Sequence, residues 1–176
     1  MWYNLFNNLI VKQNLRVISD STYNSTSIAA IGVAAHETGH AIQHAVGYSP
    51  LSLRSTLVPA ANIGSQFGPT LAVLGIIFGG TSKASDYISI FQLITNIGII
   101  LFTLAVLFYI ITLPVEFNAS RRALKILRDS NTLNTTELKG VKKVLSAAAM
   151  TYVASAITAI GSLIRLIVLS NRRHRD

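Results

Sequence analysis

Three residues in the first quarter of the chain have the types and spacing of a zinc-dependent hydrolase site. His36, Glu37 and His40 form a His-Glu-x-x-His sequence. On a helix, residues four positions apart lie about 40° apart around the axis, so both imidazoles can bind one zinc ion (Zn2+). Glu37 lies about 100° from His36, where it can take a proton from the attacking water. The spacing predicts a catalytic zinc site with Glu37 as general base, rather than two unrelated surface histidines.

A catalytic zinc ion needs a third protein ligand and one open position. Glu116 is the candidate, because it heads the apolar side of a predicted helix over residues 116–128. The basic residues of that helix fall on the other side: Arg121, Arg122, Lys125 and Arg128. A carboxylate on an apolar face must bind a metal or form an ion pair, since burying it alone is too costly. The alternative partner for Glu116 is an arginine such as Arg54.

The chain has no cysteine, so the predicted ligands are histidine and carboxylate alone. His44 continues the spacing of the two histidines but lies a further turn away, which predicts a position on the helix face or beside the substrate. A peptidase also needs a donor for the developing oxyanion. The candidates for substrate or oxyanion contacts are His44, Tyr48, Arg121 and Arg122.

Two other functions fit parts of the sequence. A catalytically inactive membrane scaffold would keep the motif as a structural metal site with four protein ligands, the fourth being His44 or Asn118. A transporter would use polar residues inside a span, for which Gln92 and Asn96 are the candidates. Such residues also bond to neighbouring helices in membrane proteins. The motif therefore favours the enzyme over both alternatives.

Capping residues place the motif on a helix. Ser27 can accept a hydrogen bond from an orphan N–H at a helix start, and Gly47 tolerates the left-handed conformation that ends helices. A helix over residues 28–46 is therefore predicted. Residues 16–18 indicate a short strand ahead of it.

The third-ligand candidate falls in a charged linker. Residues 114–143 predict two short helices with a turn at 129–131 between them. Asn134 or Thr135 has the side chain needed to cap the second of these helices.

The composition predicts an all-α, multi-pass membrane protein. Hydrophobic residues make up 51% of the chain and charged residues 12%, whereas soluble domains carry about 25% charged residues. Segments 57–80, 88–113 and 144–169 are long enough to cross a hydrocarbon core of about 30 Å. The first contains Pro59 and Pro69, which predict a kinked span or a re-entrant segment. We expect residues 1–176 to form one membrane-embedded domain.

The ligands of one metal ion must lie on one side of the membrane. Two crossings between His40 and Glu116 satisfy this, which favours counting residues 57–80 as a span. Ten of the 15 Lys and Arg residues lie in residues 1–56 and 114–143, on the predicted site side. The positive-inside rule therefore places the site in the cytoplasm. The net charge of +8 indicates contact with anionic membrane lipids, and no nucleic-acid binding is expected.

The chain resembles the YugP-like family of bacterial membrane zinc metallopeptidases. The resemblance covers about residues 16–169. It rests on several separated segments: Tyr-Asn-Ser-Thr-Ser at 23–27, the motif with its flanks at 34–43, Leu-Val-Pro at 57–59, Leu-Pro-Val-Glu-Phe at 113–117 and Ala-Ser-Arg-Arg-Ala at 119–123.

The resemblance implies zinc-dependent peptide hydrolysis in the cell membrane. It also implies His36, His40 and Glu116 as ligands with Glu37 as the base. The position beside the membrane indicates peptides, unfolded segments or membrane proteins as substrates. Residues 116–120, Glu-Phe-Asn-Ala-Ser, also resemble the third-ligand helix of the membrane metallopeptidases that process prenylated proteins. Those usually carry Asp where this chain has Ser120, so a carboxylate that orients a histidine is expected to be absent or supplied elsewhere. Family members are typically longer at the N-terminus, and we expect this chain to lack that segment.

Overall fold

The computed structural model describes residues 27–81 and 85–172. These residues form four helices: α1 (Ile28–Ala45), α2 (Ser49–Thr81), α3 (Ser85–Asp129) and α4 (Thr135–Arg172). No strand occurs within these two ranges, which confirms the all-α fold class. The strand predicted at residues 16–18 lies outside the described residues.

The predicted caps form at both ends of α1. The Ser27 hydroxyl accepts a hydrogen bond from the Ala30 N–H at 3.1 Å. At the other end Val46 is the C-cap, and Gly47 follows with a φ of 63°. Glycine adopts that φ at little cost because it has no Cβ, so Gly47 ends the helix that carries the motif.

Asn134 is the cap of α4. Its Oδ1 accepts hydrogen bonds from the N–H groups of Thr136 and Glu137, both at 2.9 Å. The Glu137 carboxylate accepts in return from the Asn134 N–H at 2.8 Å. This reciprocal pair is a capping box, and it fixes where the chain re-enters a helix after α3.

The two short helices predicted in residues 114–143 are the ends of longer ones. Helix α3 continues through Pro114 to Asp129, and α4 runs unbroken from Thr135. A proline removes one backbone hydrogen bond, which a long helix with packed neighbours tolerates. The turn itself lies where it was predicted, with Asn131 at a φ of 51°.

Three helices are long and apolar enough to cross a membrane: Ser49–Gly79, Ser89–Asp129 and Thr135–Arg172. Each coincides with one of the predicted spans 57–80, 88–113 and 144–169 to within one residue or contains it. Helix α2 passes through Pro59 and Pro69 as a single helix, which favours the spanning prediction for residues 57–80 over the re-entrant one. Only 28% of the apolar window in α2 and in α3 is buried within the chain, so most of this apolar surface is available to lipid.

The described residues fall into two compact units. Of the described residues, the first unit comprises 27–51 and 113–151, and the second comprises 52–81, 85–112 and 152–172. The first has its own apolar core: Ala35, Ala123, Leu127, Val141 and Leu145. The second has another: Ala72, Phe102, Ala105, Val106, Ala159 and Leu166. The assignment of the chain to one domain stays a prediction.

Candidate metal centre

The site lies within the first unit, where α1 crosses α3 at very short range. Gly39 makes this crossing possible, because a Cβ at that position would overlap the backbone carbonyl of Ala119. Val115 and Ala119 are fully buried on the facing side of α3. One of the two variable positions of the motif, Gly39, is therefore the contact residue that brings the two histidines against the C-terminal part of α3, which carries Glu116.

Glu116 faces both histidines from α3. Its Oε2 lies 3.1 Å from His36 Nε2 and 3.6 Å from His40 Nε2. The three ligand atoms all lie within 4.8 Å of one another. Zinc bonds of about 2.0–2.2 Å to nitrogen and oxygen give a tetrahedral edge of about 3.3–3.6 Å. The spacing therefore fits a metal ion held by these three side chains.

The Glu116 side chain is buried, with an exposed fraction of 2% for the residue. This agrees with its predicted place on the apolar side of the helix. The charged residues at Arg121, Lys125 and Arg128 are exposed on the same helix. A carboxylate at this depth needs a cationic or hydrogen-bonding partner, which the two imidazoles or a metal ion supply.

Each histidine has a second contact at its other ring nitrogen. His36 Nδ1 lies 3.1 Å from the Ser120 hydroxyl, and His40 Nδ1 lies 2.9 Å from Gln43 Oε1. Contacts of this kind orient a ligand imidazole and direct its Nε2 at the metal. At position 120 the serine occupies the place that the resemblance associates with a carboxylate.

Gln43 joins the two helices of the site. It is fully buried, and its Nε2 donates to the Val115 carbonyl at 2.9 Å and to Asn118 Oδ1 at 3.1 Å. The sequence alone predicts no role for Gln43. A usable signal was present, because the other buried residues of α1 are small: Gly32, Ala35 and Gly39. A large polar residue on such a stripe must find buried partners.

Burial and neighbouring groups act in opposite directions on His40. Burial lowers the pKa of this imidazole, whereas the nearby Glu116 carboxylate and the hydrogen bond to Gln43 raise it, as do the charges of Glu116 and Glu37. Together the raising effects dominate, so the pKa lies above the ordinary value of 6.5. In the absence of metal, the site favours a proton at His40, and a metal ion must compete with it.

The remaining candidates lie in different surroundings. Glu37 and Tyr48 are half-buried, whereas His44 and Arg121 are exposed. His44 is not a member of the group that could hold a metal among the described residues. Arg122 donates from Nε to Asn118 Oδ1 at 2.7 Å. Asn118 thus accepts from two side chains, which makes it a part of the scaffold around the site.

Comparison with known proteins gives a consistent result. The sequence model of a family described as "Putative neutral zinc metallopeptidase" matches residues 11–171. A Bacillus subtilis (strain 168) protein named "Putative membrane protease YugP" is 42% identical over 152 residues, covering 86% of this chain and 63% of the relative. The chain therefore spans less than two thirds of that relative's length. No solved structure matches this chain significantly.

Proposed function

The chain belongs to the neutral zinc metallopeptidase family, and from this premise and the site geometry we propose that it is a membrane endopeptidase. In this proposal His36, His40 and Glu116 hold the zinc ion. Bound zinc supplies a Lewis acid that lowers the pKa of a water and polarises the scissile carbonyl. Glu37 is the general base. The substrates are peptide segments of membrane proteins or unfolded chains near the membrane surface.

The observation that carries the proposal is the convergence of three ligand atoms within 4.8 Å of one another. Two of them come from neighbouring turns of α1 and the third from α3, 80 residues apart in sequence from His36. Three protein ligands leave a fourth position open, as catalytic zinc sites require. The rival structural site needs a fourth protein ligand. Its two candidates fit poorly, since His44 is exposed and Asn118 accepts hydrogen bonds from Gln43 and Arg122.

The position of Glu37 supports its proposed role as general base. It follows a ligand directly in sequence, and it is half-buried, so it combines proximity to the metal with access to water. A carboxylate there can accept a proton from the attacking water and return it to the leaving amine. Arg122 is held by Asn118, so His44, Tyr48 and Arg121 are the better candidates for oxyanion or substrate contacts.

The first experiment measures bound zinc per protein after purification in detergent. Wild type is compared with Glu116→Ala, and Glu137→Ala is the matched control because Glu137 lies in the same unit and caps α4. We expect about one zinc in wild type and in the control, and none in Glu116→Ala. Absence of zinc from wild type would reject the proposal. Zinc retained in Glu116→Ala would exclude Glu116 as a required ligand and favour a closed structural site.

We further propose that the site lies on the cytoplasmic side of the cell membrane. The support is the excess of Lys and Arg in residues 1–56 and 114–143. Because the chain has no cysteine, single-cysteine variants can be labelled in intact cells with an impermeant maleimide. Asn131→Cys, in the exposed turn before α4, should be protected, whereas Lys83→Cys should be labelled. The reverse pattern would place the site outside the cell.

A further inference from the structure

The hydrogen bonds on the Nδ1 side of His40 form a chain that ends at Arg122. The donor and the acceptor of each bond can be assigned by starting from Arg122. An arginine Nε–H can only donate, so the Asn118 atom it contacts at 2.7 Å must be the oxygen Oδ1. The same Oδ1 lies 3.1 Å from the Gln43 side chain. Gln43 must therefore present its amide NH2 to Asn118.

A second acceptor fixes the Gln43 amide in the same sense. Its Nε2 also contacts the Val115 carbonyl, which can only accept, at 2.9 Å. Both donor positions of the NH2 group are thereby used. The amide oxygen Oε1 is left facing His40 Nδ1 at 2.9 Å. Since Gln43 is fully buried, turning the amide over would leave two acceptors facing an oxygen, which is strongly unfavourable.

The amide oxygen decides the tautomer of His40. An oxygen that can only accept requires a proton on Nδ1, so Nε2 of neutral His40 must be unprotonated. The tautomer with an unprotonated Nε2 is the one that can bind a metal ion through that nitrogen. The separation of 3.6 Å between His40 Nε2 and Glu116 Oε2 is longer than a hydrogen bond, as expected for two acceptors that await a cation.

His36 is held differently. Its Nδ1 faces the Ser120 hydroxyl, which can donate or accept. Its Nε2 lies 3.1 Å from Glu116 Oε2, a hydrogen-bond distance. With Glu116 ionised, His36 donates from Nε2, and the Ser120 hydroxyl donates to Nδ1. Metal binding requires the other tautomer, in which Nδ1–H donates to Ser120. One proton leaves Nε2 and one joins Nδ1, so no net proton is released from this ring.

We propose that Gln43, oriented by Asn118 and Arg122, is a positioning residue that sets His40 in its metal-binding tautomer before metal arrives, whereas Ser120 leaves His36 free to change tautomer. The part that concerns metal binding rests on the proposed function. The part that concerns the His40 tautomer does not, because it is a property of the metal-free protein. Arg122, a candidate for substrate contact by sequence, acts here through Asn118 instead.

Nitrogen NMR of 15N-histidine-labelled, zinc-free protein in detergent tests the tautomers directly. The chain has four histidines, and a His44→Gln, His174→Gln background leaves His36 and His40 to be assigned. At about pH 9, where ordinary imidazoles are neutral, we expect Nδ1–H at His40 and Nε2–H at His36. Addition of zinc should move only the His36 proton. Neutral His40 with its proton mainly on Nε2 in wild type would overturn the proposal without any variant.

Variants test the chain of contacts by zinc affinity, measured in competition with a chelator. Gln43→Leu should weaken zinc binding by about 10- to 100-fold, and Gln92→Leu, the same change in the second unit, should leave it unaltered. Asn118→Asp keeps an acceptor for both donors and should retain near wild-type affinity, whereas Asn118→Leu should lose it. A Gln43→Leu protein with unchanged zinc affinity and unchanged His40 tautomer would reject the positioning role.

The two readouts separate this proposal from the proposed function. If wild type binds no zinc but His40 carries its proton on Nδ1, the enzyme proposal fails and the positioning role survives. If zinc binds with the ligands proposed but His40 carries its proton on Nε2, the positioning role fails alone. Helix content by circular dichroism is measured for each variant to show that it folds. If Gln43→Leu does not fold, Asn118→Leu tests the same chain of contacts at a residue further from the ligand.

Discussion

Several polar side chains of the second unit bond within their own helix, whereas the polar side chains of the candidate site in the first unit contact a second helix. In α3, the hydroxyls of Thr95, Thr103 and Thr112 donate to the carbonyls four residues earlier, at 2.7–2.9 Å. Gln92 likewise donates to Asn96, one turn along. Such bonds satisfy a polar group in an apolar setting without forming a site.

The polar groups of the candidate site are arranged in the opposite way. His36, His40 and Gln43 all contact residues of α3 that are more than 70 positions away in sequence. Both units use small residues for close helix contact, since a Cβ at Gly98 would overlap the backbone of Ala72 as one at Gly39 would overlap Ala119. Close packing is therefore common to both units, and the cross-helix polar contacts distinguish the candidate site.

The largest expected effect separates chemistry from metal binding within the first unit. Glu37→Gln removes the proposed base while keeping the size of the side chain, so zinc-dependent cleavage of an unfolded protein substrate should fall by about 10²- to 10⁴-fold. Zinc content should stay near that of wild type. Glu137→Gln is the control, with expected activity near wild type. Loss of zinc together with activity would show that Glu37 has been assigned the wrong role.

The two close-packed glycines provide the next test. Gly39→Ala and Gly98→Ala both force a Cβ into neighbouring backbone, so each should lower the free energy of unfolding by about 1–3 kcal/mol. Only Gly39→Ala should also weaken zinc binding, because it separates α1 from α3 at the ligands. Thermal unfolding in detergent and chelator competition measure the two effects. Equal zinc affinity in both variants would remove the distinction between the units.

The chemistry at helix ends and the period of the helix allowed part of this structure to be predicted. Ser27, Gly47 and Asn134 define helix ends through their own side chains or backbone freedom, and the structure confirms all three. The side of the helix on which Glu116 lies followed from the distribution of charged and apolar residues. These features depend only on residues close together in the sequence, so they can be predicted from the sequence alone.

The parts that could not be predicted depend on partners distant in sequence. Gln43 looked unremarkable beside His40, because its role depends on Val115 and Asn118 of another helix. The continuity of α3 through Pro114 was also missed. A proline lowers helix stability locally, but the packing of the whole helix outweighs that cost. Ser120 was read as a missing carboxylate, and its hydroxyl contacts His36.

A smaller effect is expected from pH. The pKa of folded, zinc-free His40 is raised, so the protonated ring stabilises the fold. That contribution is complete below the unfolded value of about 6.5 and is lost as pH rises through the folded pKa. Zinc competes with the same proton, so its affinity should rise with pH by at most about tenfold per unit for this group.

Melting temperatures with and without zinc measure this dependence. The zinc-free protein should lose stability as pH rises above about 6.5, and the stabilisation that zinc adds should increase over the same interval. Gln43→Leu removes one contact that raises the pKa of His40, so the change should shift to lower pH in that variant. Parallel profiles for the zinc-free and zinc-loaded proteins would contradict proton competition at His40.

The smallest effect compares two hydroxyls, one from each unit. Ser120→Ala removes the group that His36 Nδ1 contacts, and zinc affinity should fall by about tenfold, the lower end of the range for such contacts. Thr103→Val removes a hydroxyl that bonds only to its own helix, and affinity should be unchanged. Ser120→Asp should strengthen zinc binding, because a carboxylate only accepts and so favours the Nδ1–H form of His36. Weaker binding in Ser120→Asp would mean that the charge of Glu116 beside it, rather than the tautomer of His36, limits the affinity of the site.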